Sequence, residues 1–109
     1  MPNTLAERRN ASRFPLILAA EITELPEGSP LHARTSDISR TGCYIDTLNP
    51  VPRGTLVRVR LTRNREVFEA VAKVVYVSSG LGMGLQFEEP PPGQLAMLDR
   101  WLADTSIRR

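Results

Sequence analysis

Arg9 and Arg13 stand near the start of the chain, and Asp37-Ile38-Ser39-Arg40-Thr41-Gly42 follows them. The first run has the form R-x-x-x-R and the second D-x-S-x-x-G. Arginine offers a planar, permanently charged fork of donors that fits phosphate oxygens and base edges. Aspartate only accepts, and serine both donates and accepts. Glycine allows a turn conformation closed to other residues and a close approach of backbone to a ligand. The spacing lets Arg9 and Arg13 share a helical face or bracket a bent arm, and Arg8 adds a third fork beside them. Such a set suits a ligand with phosphates to clamp and a nucleobase edge to read. Two plainer readings compete: the arginines as a solvated arm, and Asp37 and Ser39 as turn residues bonding their own backbone.

The rest of the composition narrows the options. A chain of 109 residues, 41% hydrophobic and 24% charged, suits one domain with one small core. Its net charge of +2 is too small to imply nucleic acid, and Lys73 is the sole lysine among 14 basic residues. Aromatic residues make up 6%, and only Phe14 adjoins the arginine cluster, so no groove of stacked bases is expected and no DNA or RNA partner. Cys43 is the only cysteine, so no internal disulfide forms and a reducing compartment is compatible. Neither a secretory leader nor a bilayer-length apolar run is evident; the expectation is a cytoplasmic protein with no membrane insertion. His32 is alone. With no metal cluster, histidine–nucleophile pair or phosphate-binding loop, neither an enzyme nor a cofactor is expected.

Strand signals must position the two motifs. Six runs are predicted as strands, at 16–25, 31–37, 43–48, 55–62, 66–77 and 83–88, separated by Gly-, Pro- and Asn-rich turns. In 55–62, Val57, Val59 and Leu61 face one way while Arg58 and Arg60 face the other. In 66–77, Phe68, Ala70, Ala72, Val74 and Tyr76 are expected on one face. Arg58, Arg60, Arg63 and Arg65 read as a solvated rim. After Pro90-Pro91-Pro92, a helix over 93–104 carries Leu95, Leu98 and Leu102 on one stripe, with Met97 and Trp101 beside it. The fold class that follows is all-β, a six-stranded antiparallel barrel with a C-terminal helix plugging one open end.

In its motifs the chain resembles the PilZ family. The resemblance rests on Arg9-Asn10-Ala11-Ser12-Arg13, on Asp37-Ile38-Ser39-Arg40-Thr41-Gly42, and on Gly82-Met83-Gly84-Leu85-Gln86-Phe87, which is similar to the family's late G-x-G strand. It implies a PilZ-like barrel (15–89) carrying D-x-S-x-x-G, a flexible N-terminal switch arm (1–14) carrying R-x-x-x-R, and a C-terminal helix and tail (90–109). It also implies a bacterial receptor for cyclic di-GMP, a second messenger with two phosphates and two guanines. Arg8, Arg9 and Arg13 would meet phosphates and guanine O6 and N7. Asp37 would accept from the Watson–Crick edge, Ser39 would bond a phosphate or base, and Gly42 would let the backbone close in. Arg8 leans the expectation to an intercalated ligand pair. The signal would pass to an unidentified downstream protein. The alternative is a PilZ-like adaptor that works without nucleotide.

Overall fold

Val57, Val59 and Leu61 are fully buried, while Arg58, Arg60 and Thr62 between and after them are exposed. This is the two-residue period of a strand with one wet face. In the computed structural model, which describes residues 12–107, that segment is β4 (Leu56–Arg63). The others are β1 (Ala19–Glu24), β2 (Pro30–Ile38), β3 (Gly42–Asp46), β5 (Glu66–Ser78) and β6 (Gly82–Phe87), followed by helix α1 (Pro92–Ile107).

All the pairings are antiparallel, and the sheet closes in the order β1-β2-β3-β6-β5-β4, with β4 returning to β1. Closure leaves no strand edge open to foreign pairing. The predicted barrel is therefore the observed one. Asn64, with φ at 58°, takes the left-handed conformation that the turn between β4 and β5 requires. Inside, Ile22, Ile38, Ile45, Phe68 and Met83 are among the fully enclosed side chains, and the rings of Phe68 and Phe87 meet at 4.9 Å.

Helix α1 buries Leu98, Trp101 and Leu102 and half-buries Leu95 and Met97. Trp101 packs 6.5 Å from Phe68. The helix thereby covers the barrel end that carries the β2–β3 and β4–β5 turns. Polar contacts ring this closure. Arg63 donates to Asp104 at 2.7 Å, and Arg40, in the β2–β3 turn, donates to Asp99 at 2.9 Å. Glu66 receives both arms of Arg100, at 3.1 and 2.8 Å, and the Trp101 indole N–H at 2.8 Å. Those bonds, Arg100's first, pull the Glu66 carboxyl down to about 2.

Tyr76 departs from its expected place. Strict alternation puts it inward with Val74, yet it is 57% exposed. Val74 opposes Leu85 and Tyr76 opposes Gly84, so Val75 is an extra residue in β5. This bulge resets the alternation and turns Tyr76 to the outer face.

Candidate functional site

The chain enters the barrel through a short pinned segment. Phe14 N–H donates to the Ile38 carbonyl at 2.8 Å, and Ile38 N–H returns a bond to Phe14 at 3.0 Å. Thr35, fully buried, accepts the Leu18 N–H at 2.9 Å and donates its hydroxyl to the Leu16 carbonyl at 2.6 Å. Its own N–H donates to the Leu18 carbonyl at 3.0 Å. The root of the N-terminal segment is thus fixed along the last residues of β2.

A bulge in β2 then aims the motif. Thr35 opposes Ile45 and Asp37 opposes Tyr44, leaving Ser36 as the extra residue. Thr35 and Ile38 point into the core, so Asp37 points out, beside the pinned root. Arg13, one residue before the Phe14 bridge, places Nε 3.7 Å from Asp37 Oδ1. That separation is an ion pair but too long for a hydrogen bond. Asp37 Oδ1 is buried and accepts no hydrogen bond from any described residue. Buried carboxylate oxygens are normally bonded, so this atom has capacity for a donor.

Ser39 builds the turn. It is 5% exposed, and its Oγ accepts the N–H groups of Thr41 and Gly42, both at 3.2 Å. Its own N–H donates to the Gly42 carbonyl at 2.8 Å. This is the local backbone bonding that the plainer reading allows, and it shapes the loop from which Arg40 reaches Asp99. Gly42 corrects its expected reason. Its φ is not positive; the left-handed glycines are Gly54 and Gly80. Its need is close approach, because a Cβ there would run into the Leu85 carbonyl of β6. Gly82 and Gly84 are also packing glycines. A Cβ on Gly82 would meet the Ile45 carbonyl and the Tyr44 ring, and one on Gly84 would press on Tyr76. Cys43 is buried, and desolvation first, then Asp37, pushes its thiol up and keeps it protonated.

The structure thus brings Arg13, Asp37, Ser39 and Gly42 to one corner of the barrel. Arg8 and Arg9 lie outside the described residues. Sequence reasoning missed Thr35 as the pin, because a threonine in a strand is ordinary. It also missed Phe14 as the bridge, because Pro15 reads from sequence only as a helix stop. Two depressions of about 440 and 450 Å³ lie elsewhere, one beside Arg58 and Glu69, the other beside Pro15 and Thr105.

A family model of the PilZ domain matches residues 7–104. The chain belongs to the PilZ domain family. Solved PilZ structures share its fold. The PilZ domain of Escherichia coli YcgR, determined with c-di-GMP, is 18% identical, with a TM-score of 0.75 over 93% of each chain. The Bacillus subtilis inhibitor of motility MotI/DgrA is also 18% identical, with a TM-score of 0.78. It is matched by 100% of this chain over 57% of its own length, so the chain spans little more than half of that protein. The PilZ domain of CeSA from a cellulose-synthesizing bacterium is 18% identical at a TM-score of 0.67, over 83% of this chain and 93% of that one. No curated protein sequence matches. Among the described residues, no group of His, Cys, Asp and Glu could hold a metal ion, and no helix is long and apolar enough to cross a membrane.

Proposed function

We propose that this PilZ protein is a receptor for cyclic di-GMP. Arg8, Arg9 and Arg13 clamp phosphates and guanine edges, while Asp37 accepts from the Watson–Crick donors of a guanine. The observation that carries this reading is the buried Asp37 Oδ1, which lacks a hydrogen bond from any described residue and lies 3.7 Å from Arg13 at the root of the arginine-bearing segment. Ser39 and Gly42 act chiefly by holding the turn that presents Asp37. The arm folds over the ligand from the fixed Phe14–Ile38 bridge and changes the surface offered to a downstream protein in the cytoplasm. Arg8 stacks between two ligand molecules, which predicts an intercalated pair. The bound nucleotide in the YcgR structure supports this choice of ligand.

Calorimetric titration with cyclic di-GMP tests the reading. The wild type should saturate, and Arg9→Ala and Arg13→Ala should each lose about tenfold to a hundredfold in affinity, the worth of a charged hydrogen bond of about 1.5–3 kcal/mol. Two ligands per chain would support the intercalated pair. A folded wild type that gives no heat would leave the nucleotide-free adaptor as the better account.

A further inference from the structure

The outer face beside Asp37 carries a row of residues set by strand register. Asp37 on β2 opposes Tyr44 on β3, Tyr44 opposes Gly84 on β6, and Gly84 opposes Tyr76 on β5. The row starts at a carboxylate and continues into two aromatic rings over a glycine floor. The Tyr76 side chain lies on Gly84 and the Tyr44 ring on Gly82. The two rings stand 6.2 Å apart at 50° to each other. Tyr44 is half-buried, but Tyr76 is 57% exposed even though it covers a glycine.

Interior glycines weaken a strand, because they lose more entropy on folding and pack no side chain. A large residue laid across such a glycine can offset that loss by covering it. Any bulky apolar side chain would do as much. Here the cover is a tyrosine pair, Tyr76 exposed and Tyr44 half-buried, in register with the carboxylate that holds a buried acceptor. The bulge at Val75 is what turns Tyr76 to this face; without it, Tyr76 would point into the core.

We infer that Tyr44 and Tyr76 form a stacking platform on which a guanine of the cyclic dinucleotide lies, adjoining Asp37. The inference rests on the receptor reading above and deepens it. Stacking on an aromatic face tolerates any base, whereas Asp37 recognises the N1–H and N2–H donors of guanine. Affinity and base selection are therefore divided between neighbours in one row. The tilt of the pair lets a flat purine stack on one ring and meet the edge of the other.

The test compares wild type, Tyr76→Phe and Tyr76→Leu in titrations with cyclic di-GMP. Leucine keeps the cover over Gly84 and removes the π face; phenylalanine keeps both. Tyr76→Leu should bind about tenfold more weakly, the range of one base–aromatic stack, and Tyr76→Phe within about twofold of wild type. Ring protons of Tyr76 should also shift upfield when the ligand is added. If wild type binds and Tyr76→Leu binds equally well, the platform is refuted and the receptor stands. A wild type that does not bind refutes both.

Discussion

Replacing Thr35 by valine keeps the side chain's shape and removes one oxygen. That oxygen accepts the Leu18 N–H at 2.9 Å and donates to the Leu16 carbonyl at 2.6 Å. Leu18 is 5% exposed, so its N–H has no ready access to water in the variant. An orphaned buried donor costs about 1–3 kcal/mol, and the lost bond to Leu16 adds about 0.5–1.5 kcal/mol. Valine's extra apolar burial returns about 0.8 kcal/mol. The net loss is about 2 kcal/mol, which for a domain of this size lowers Tm by about 8 °C. Thr35→Ser is the matching control: it keeps both hydrogen bonds, loses one methyl and should cost about 1 kcal/mol. Thermal unfolding followed by circular dichroism should therefore rank the wild type first, Thr35→Ser second and Thr35→Val last. Amide exchange at Phe14 and Leu18 should quicken in the valine variant. A valine variant at least as stable as the serine variant would refute the claim that the hydroxyl pins the arm root.

Two further outcomes follow from neighbouring features. Gly42→Ala puts a Cβ into the Leu85 carbonyl and forces β3 from β6, a loss on the order of 2–4 kcal/mol in urea unfolding; stability within about 0.5 kcal/mol of wild type would contradict this. Any nucleotide binding lost in that variant would then report a broken turn rather than a missing contact. Glu66 titrates at about 2 when folded, against about 4.3 in an unfolded chain, so between those values the unfolded state binds more protons. Its contribution is complete above about 4.5 and is lost as pH falls toward 2. Acid titration followed by Trp101 emission should show a drop in stability across that window, which Glu66→Gln flattens; parallel slopes would argue against the ion pair as its source.

The barrel was legible because inward and outward residues alternate in most strands, most cleanly in Val57, Val59 and Leu61. Where alternation slips, legibility ends. Neither bulge, at Ser36 or at Val75, leaves a mark in residue type, since both positions hold ordinary strand residues. The slip at Val75 misplaced Tyr76 and hid its neighbourhood with Tyr44. The polar side of the site was readable from Arg13 and Asp37, whose types are unusual enough together to suggest anion and base recognition. The supports were not. Thr35 acts through backbone seventeen and nineteen residues away, and Gly42 through the carbonyl of another strand. Such distant partners are fixed only once the sheet has closed.

In the proposed receptor, the Phe14–Ile38 bridge would make the two arginines of R-x-x-x-R unequal partners of the ligand. Arg13 is the residue next to the bridge, while Arg9 is five residues from Phe14. Whatever path the chain takes between them, five residues reach at most about 18 Å. In that reading Arg9 would act as a tethered reagent, and a short tether holds its load at a local concentration on the order of millimolar. A free peptide carrying the same arginines would need to be supplied at that concentration to replace it. In the proposed receptor, residues inserted between Arg9 and Phe14 would dilute Arg9 while leaving Arg13 in place, so the length of this segment would set the balance between the two grips.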